Sequence, residues 1–273
     1  MSRVWDDYHW NFWDKENEKL PEKVSKYRKI SICTTCMNRL EDLKRTLPKN
    51  IEDNKDYPNV EFVLLDYNSA DGLSNWIKNN MIDYIESGKL VYYKTIEPKY
   101  FRMGHSRNVA FKLSTGEIVN NVDADNFIGK GFVDVINKLA ELCPERAVFA
   151  KGKRMMHGRI GFYKNEFLTL GGYDEDLVGY GFDDHSLIYR AMALGHKFMW
   201  WNELGDFMNR IRTSSKNKTK HMSEANKNWR ETEIINKEIT MKKMKNGEFI
   251  VNKNRNWGKA SVTKNFKDRI LVS

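Results

Sequence analysis

Two short acidic motifs contain the side chains best suited to chemistry. Asp183 and Asp184 follow the aromatic, glycine-rich turn Gly-Tyr-Gly-Phe and open an amphipathic helical pattern. A carboxylate held there could act as a general base on a hydroxyl group. Asp123 and Asp125 stand two residues apart in a predicted turn. Both could reach one divalent cation, and hard oxygen ligands suit Mg²⁺ or Mn²⁺.

The spacing of Asp123 and Asp125 is weak on its own, since Asp174 and Asp176 repeat it. The first pair follows an apolar, strand-like run, whereas the second lies in a predicted loop. Asp123 and Asp125 could therefore be metal ligands or ordinary turn acids. Arg107, on the helix before that strand, could hold a phosphate or a base edge with two hydrogen bonds. It could equally form a salt bridge, for example to Glu117.

Alternating strand and helix patterns must position these residues. We predict strands over residues 29–35, 60–66, 89–94 and 117–122, and helices over residues 39–54, 73–86 and 103–113. Short links between them indicate an α/β fold with a mostly parallel sheet flanked by helices. Ligands of such sheets bind outside the carboxyl ends of the strands. Polar residues cluster there: Thr34, Thr35, Asp66, Asp123 and Asp125.

The second half of the chain is less regular. We predict helices over residues 130–142, 183–194 and 230–246, and strands over residues 147–150, 158–164 and 197–201. The predicted organisation is an aromatic N-terminal arm (1–28), a ligand-binding half (29–126), a second half of the same domain (127–225) and a basic helical tail (226–273). Trp200 and Trp201 could form a sugar-stacking wall or belong to the core.

Bulk composition favours a globular protein without a disulfide framework. The chain has 273 residues, 40% of them hydrophobic, and three cysteines. Cys33 and Cys36 have the spacing of a redox pair, although Cys33 could simply be buried in a strand and Cys36 could line a loop. Since we find no secretory pattern and no long apolar segment, we expect a cytoplasmic location, or the host cytoplasm if the source is viral.

Positive charge is concentrated at one end of the chain. Residues 209–273 contain 17 Lys and Arg against 6 Asp and Glu, although the whole chain has a net charge of only +9. Aromatic residues are interleaved with these cations, as in surfaces that follow a phosphate backbone. The tail could therefore contact nucleic acid, or it could be a solvated surface.

Taken in order, the motifs resemble GT-A glycosyltransferases of the family 2 type. The second half is similar to the galactosyltransferase module of the β-1,4-galactosyltransferase and chondroitin-polymerase group. The resemblance covers about residues 28–225 and is carried by Cys33-Thr-Thr-Cys-Met-Asn-Arg39, Leu65-Asp-Tyr-Asn-Ser69, Ser106-Arg-Asn108, Val122-Asp-Ala-Asp125 and Gly179-Tyr-Gly-Phe-Asp-Asp184.

The resemblance implies an inverting, metal-dependent transfer from a UDP-sugar to an acceptor hydroxyl. The acceptor could be a glycan or, because of the basic tail, hydroxymethylated viral DNA. Asp184 matches the catalytic base. The implied acceptor contacts are Asp183, Tyr180 and Trp201. The implied nucleotide-sugar contacts are Thr34, Thr35, Arg39, Asp66, Arg107, Asp123 and Ala124.

The implied metal ligands for Mn²⁺ or Mg²⁺ are Asp123, Asp125 and a downstream histidine. His221 is the best match by position, with His157 and His185 as competitors. The sequence departs from the family pattern in two ways. Asp183 replaces the usual Glu, while Tyr180 and Phe182 replace a Trp and a Gly that are frequent in the turn.

Two other classes of protein remain open. A nucleotidyltransferase could use the same sheet and metal-binding acids, but would need no base at Asp184. A non-catalytic binding module for sugar or nucleic acid would keep its function after Asp184→Asn.

Overall fold

The apolar segments predicted as strands lie side by side in one sheet. The computed structural model describes residues 11–14, 16–151, 158–201, 204–212, 219–223 and 228–273. Within them the sheet has nine strands: β1 Ile30–Cys36, β2 Val60–Tyr67, β3 Leu90–Thr95, β4 Ile118–Asn121, β5 Ala147–Ala150, β6 Gly161–Tyr163, β7 Lys197–Trp200, β8 Ala260–Lys264 and β9 Asp268–Val272.

Helices cover both faces of this sheet. They are α1 Leu40–Asp53, α2 Leu73–Asn80, α3 Ile82–Glu86, α4 Met103–Leu113, α5 Phe132–Leu142, α6 Lys164–Thr169, α7 Asp183–Ala193 and α8 Trp229–Lys245. Two buried clusters result, one on each face. The first contains the predicted apolar stripe of α1 and residues of α5, and the second contains residues of α4 and α7.

The strand order is β7-β5-β6-β4-β1-β2-β3-β8-β9. Strands β3, β2, β1 and β4 run parallel, so their carboxyl ends meet at one edge of the sheet. Cys36 at the end of β1 pairs with Asp66, and the amide of Val122 donates to the carbonyl oxygen of Cys33 at 2.8 Å. This register brings the Asp123 motif beside the end of β1, as the sequence predicts.

The two cysteines of the redox-like spacing point to opposite faces of β1. Cys33 packs in the cluster with α4 and Cys36 in the cluster with α1. Both are free and fully buried, and burial raises the pKa of both thiols. Cys33 is buried in a strand, as predicted, but Cys36 is the last residue of β1 and is buried as well, instead of lining a loop. Burial of both thiols argues against the redox interpretation.

Several elements differ from the prediction. The helix expected over residues 73–86 is interrupted at Met81, following Asn79 and Asn80, which are weak helix formers. The short helix α6 was not predicted. In the described part of the basic tail, the only helix is α8, and residues 260–272 form a hairpin whose first strand pairs antiparallel with β3.

Segments from the two ends of the sequence complete the sheet. The amide of Phe198 in β7 donates to the carbonyl oxygen of Asn11, and the amide of Trp13 donates to that of Phe198. Trp13 is buried, while Trp5 and Trp10 of the predicted arm lie outside the described residues. In the described part of the chain, no helix combines the length and apolar character needed to cross a bilayer.

Candidate active site

One buried guanidinium joins the two acidic motifs. Nη1 of Arg107 donates to Asp183 and, at 2.8 Å, to Oδ1 of Asp184, while Nη2 donates to Oδ1 of Asp123 at 2.9 Å. Arg107 is 2% exposed and lies over the ring of Tyr173. The salt bridge expected as an alternative therefore exists, but its partners are these three acids. Glu117 instead pairs with Lys26 and Arg28.

Three elements deliver these side chains. Arg107 lies in the second turn of α4, Asp123 is the second residue after β4, and the acidic pair occupies the first two positions of α7. Carboxylates are favoured at a helix N-terminus because they interact with its dipole. Since the acids of the two motifs are about 60 residues apart in sequence, only the fold brings them to one cation.

Burial and charge set the ionisation of this group. Burial raises the pKa of Asp184 to about 7, although Arg107 opposes the shift. The amide of Gly158 also donates to Oδ2 of Asp184, at 3.2 Å. Burial acts against the charge of Arg107, but the three carboxylates outweigh it and raise the pKa of the guanidinium. A carboxyl group with a pKa near neutrality suits proton transfer at physiological pH.

Asp123 and Asp125 offer hard oxygen donors to a cation. Arg107 and Asn121 both donate to Oδ1 of Asp123, and its side chain is 40% exposed. A Cβ at Gly158 would lie 1.9 Å from Oδ2 of Asp123, so only glycine leaves room there. Asp125 accepts a bond from Arg39 at 3.0 Å. This donor set fits Mg²⁺ or Mn²⁺ as two of its ligands.

His221 lies beside Asn38 and is not grouped with Asp123 and Asp125. Its Nδ1 lies 3.2 Å from the side-chain amide nitrogen of Asn38, and burial, Lys220 and Arg39 lower the pKa of the imidazole. Among the described residues, no group of three His, Cys, Asp or Glu side chains is arranged to hold a metal. His185 stacks on Phe182 instead, and His157 lies outside the described residues.

A cavity of about 340 Å³ opens beside Asp125, after the end of β1. Its lining includes Asn38, Arg39, Asp71 and His221. Arg39 connects the cavity to Asp125, and Asp71 accepts the amide of Leu40 at the start of α1. Of the predicted nucleotide contacts, Arg39 lines this cavity.

Asp66 lies behind this cavity. It is fully buried, accepts from the hydroxyl of Tyr92 at 2.7 Å and accepts from the amide of Ser69 at 2.8 Å. Ser69 in turn accepts from the amide of Asn38. Asp66 thus orders the cavity wall and does not line it. Thr34 is buried in β1, and Thr35 accepts a bond from Ser106.

The remaining predicted contacts divide between site and core. Tyr180 is partly buried, and burial, Asp123 and Asp183 raise the pKa of its phenol. Ala124 is buried, and its carbonyl oxygen accepts from Thr46. The prediction for Trp201 is wrong, because the side chain is fully buried and packs edge-to-face on Phe132.

Sequence reasoning missed two contributors to the site, Asn121 and Gly158. Asn121 orients Asp123 and also donates to the carbonyl oxygen of Gly158. The amide of Gly158 donates to Asp184, and the absence of a Cβ at Gly158 leaves room for the carboxylate of Asp123. Arg159 is buried near Asp123 and Asp125, and burial lowers its pKa to about 10. The polar pair Asn120-Asn121 at a strand end was the available signal for the first.

The sequence profile of glycosyl transferase family 2 matches residues 31–204. That range is well over half of the chain and includes both acidic motifs. The chain belongs to glycosyl transferase family 2. This confirms the family resemblance and identifies the chain as a glycosyltransferase. No curated protein sequence matches the chain.

Solved structures of other glycosyltransferases share the fold of this family 2 member. They include the mannosyltransferase PcManGT of Pyrobaculum calidifontis with GDP-Man and Mn²⁺ (19% identity, TM-score 0.56, 72% of this chain and 59% of that chain). TarS 1-349 of S. aureus with UDP gives 16% identity and a TM-score of 0.55, over 69% of this chain and 62% of that chain. GalNAc-T7 with UDP, GalNAc and Mn²⁺ gives 14% identity and a TM-score of 0.54, over 67% of this chain and 45% of that chain.

This chain covers less than two thirds of the length of each of these proteins. At such low identities the likeness establishes the GT-A fold alone, and it confirms the predicted mixed α/β architecture. Because the chain belongs to a glycosyltransferase family, the two alternative classes, a nucleotidyltransferase and a non-catalytic binding module, are set aside.

Proposed function

We propose that this protein is an inverting, metal-dependent glycosyltransferase that moves a sugar from a UDP-sugar to an acceptor hydroxyl. The observation that carries the proposal is the junction at Arg107. It holds Asp123, suited to a donor-side cation, next to Asp184, suited to an acceptor-side base. Transfer requires both halves to act on one sugar between them.

In this mechanism Asp184 accepts the proton of the acceptor hydroxyl as that oxygen attacks the anomeric carbon. Arg107 and the amide of Gly158 hold its two carboxylate oxygens in place. Attack from the side opposite the departing nucleotide inverts the anomeric centre. Asp183, bound to the same guanidinium, would contact a neighbouring hydroxyl of the acceptor.

On the donor side, Asp123 and Asp125 would hold Mn²⁺ or Mg²⁺ together with the diphosphate. Such a cation neutralises the charge that develops on the leaving nucleoside diphosphate. Arg159, buried close to both acids, adds a fixed positive charge. The cavity lined by Asn38, Arg39 and His221 would take the nucleoside, with Thr34 and Thr35 at the end of β1 beneath it.

The acceptor would bind in the second half of the domain, over residues 127–225, as in the galactosyltransferase-like module. Tyr180 is a candidate for this role because it lies in the turn that precedes Asp183 and Asp184. A glycan or a hydroxymethylated DNA base would supply the hydroxyl.

The DNA alternative is supported by exposed cations on α8, including Lys237, Lys242 and Lys245. A retarded DNA band in an electrophoretic mobility assay at low salt, lost at high salt, would favour it. Absence of a shift at low salt would exclude it.

The proposal is tested by a panel of UDP-sugars with Mn²⁺, read by mass spectrometry against glycan and modified-DNA acceptors. Asp184→Asn should lower kcat by ~10²–10⁴-fold and retain UDP binding, because a general base acts on the rate. Asp123→Ala should weaken UDP binding in the presence of Mn²⁺. Equal activity of wild type and both variants would refute the proposal.

A further inference from the structure

The turn that precedes the two acids of α7 has an unusual backbone. We define the catalytic turn as residues 178–182. Gly179, Gly181 and Phe182 all have positive φ angles, of 66°, 95° and 66°. A bulky side chain in the left-handed region is strained, and such strain persists only where the surroundings impose it. Phe182 immediately precedes Asp183, so the geometry of this turn sets the position of both acids.

Side chains of α8 bind the backbone of the catalytic turn. The side-chain amide of Asn236 donates to the carbonyl oxygens of Val178 at 2.9 Å and of Gly181 at 2.8 Å, and its oxygen accepts from the amide of Val178. The hydroxyl of Thr232 donates to the carbonyl oxygen of Tyr180 at 2.9 Å and accepts from its amide at 3.2 Å. Asn236 is 1% exposed and Thr232 is 3% exposed.

Steric fit supports the same contact. A Cβ at Gly179 would lie 2.7 Å from a methyl carbon of Thr232, and one at Gly181 would lie 3.1 Å from Glu233. The two glycines therefore permit close approach of α8 as well as the positive φ angles. The buried residues of α8 are three polar ones, Thr232, Asn236 and Thr240, together with Met244, whereas Ile234 and Ile235 are exposed. This helix face is built for hydrogen bonding to the turn.

The contact continues at the other end of the helix. Nζ of Lys243 lies 2.7 Å from a carboxylate oxygen of Asp174 and 2.6 Å from one of Asp176. The side chain of Asn252, beyond α8, donates to the carbonyl oxygens of Gly171 and Tyr173. The loop that leads into the acids is thus held along its length by residues after position 228. All of these residues lie outside the range matched by the family profile.

We propose that Thr232 and Asn236 are positioning residues that hold the catalytic turn, and through it Asp183 and Asp184, in the geometry needed for transfer. The inference rests on the proposed function of the two acids. It adds a contribution from an element beyond the family-matched range. Neither residue touches the reacting atoms, so their loss should lower kcat and leave donor affinity unchanged.

The chain offers a matched control on the same helix face. Thr240 is 1% exposed, and its hydroxyl has no hydrogen-bond partner among the described residues. Thr240→Val makes the same chemical change as Thr232→Val, two helical turns away from the bonds to Tyr180. Any general effect of removing a buried hydroxyl from α8 should appear in both variants.

The first measurement is hydrogen exchange of the amide of Tyr180. Thr232→Val should accelerate it roughly tenfold, because the amide loses its acceptor. Thr240→Val and the conservative Thr232→Ser should leave it near the wild-type rate. An unchanged rate in Thr232→Val would overturn the proposal whether or not any sugar is transferred.

The second measurement is steady-state transfer with the active donor. Thr232→Val and Asn236→Leu should lower kcat roughly 10–100-fold through misplacement of the acids. The KM for donor and the Kd for UDP with Mn²⁺ should stay within about twofold, and Thr232→Ser should restore most of kcat. Unchanged kcat with accelerated exchange, or an equal fall in Thr240→Val, would overturn the positioning role. Inactivity of the wild type itself would refute the proposed function, and the exchange data would still decide the contact.

Discussion

At the scale of single residues, the site depends on the charge balance around Arg107. Three carboxylates, from Asp123, Asp183 and Asp184, share one guanidinium that is almost completely buried. A buried charge whose partner is removed is strongly destabilising, because its desolvation is no longer offset. Arg107 should therefore be needed for stability as well as for activity.

Arg107→Met should lower the free energy of unfolding by about 3–5 kcal/mol, since it leaves the acids without their counterion. Urea denaturation followed by circular dichroism measures the change. Lys26→Gln is the control, because its bridge to Glu117 is 56% and 41% exposed and should contribute less than about 1 kcal/mol. Similar losses in the two variants would contradict the importance of the buried junction.

The pH dependence of transfer should report the ionisation of Asp184. Its pKa is raised by burial to about 7, and only the ionised carboxylate can accept a proton. Activity should therefore be present above this pKa and fall as the pH drops through it. The measurement is kcat/KM between pH 5.5 and 9, which reports the free enzyme. A profile that stays flat down to pH 5.5 would argue against Asp184 as the base.

At the scale of elements, local patterns predicted most of the fold. The apolar spacing of α1 and the strand-end position of Asp123 both follow from periodicity and chain direction, and both are observed. The partners of Arg107 could not be predicted, because they come from three elements whose juxtaposition depends on long-range packing. The hairpin of β8 and β9 was missed because its charged, short strands resemble a solvated tail.

Trp201 illustrates how exposure, rather than residue type, decides a role. It follows β7 and packs on Phe132 of α5 and on Phe207. Trp201→Ala should lower the free energy of unfolding by about 3–5 kcal/mol by opening a cavity. Trp201→Phe should lower the free energy of unfolding by a smaller amount, because the phenyl ring fills part of the cavity. In both variants the folded protein should keep its acceptor KM, and a raised KM in Trp201→Phe would return Trp201 to the site.

At the scale of the whole molecule, the family-matched range does not form the sheet alone. Residues 11–13 add to the β7 edge, and the hairpin of β8 and β9 adds to the β3 edge. Val262 and Val272 of the hairpin are buried, and Phe266 stacks on Tyr92 at 4.8 Å. The hairpin therefore contributes to the core although its sequence is polar.

Removal of residues 259–273 should lower the melting temperature by roughly 5 °C or more, since each buried Val contributes about 1.5–3 kcal/mol. UDP binding at low temperature should persist, because the residues that line the cavity, 38–42, 71, 220 and 221, all lie outside the removed segment. Leu271→Ser is the control: its side chain is 67% exposed, so the midpoint should hardly move. A truncated chain as stable as the control would mean that the hairpin is dispensable.

The two edges of the sheet also provide a pair of labelling positions whose separation measures the width of the sheet. Asn11, beside β7, and Leu271, in β9, lie on opposite sides of the nine strands and are both exposed. With strands about 4.8 Å apart, dyes attached at these two positions would be separated by roughly 40 Å. That distance suits energy transfer between common dye pairs, and it spans every strand. A single fluorescence ratio would then follow the assembly of the complete sheet in a refolding experiment.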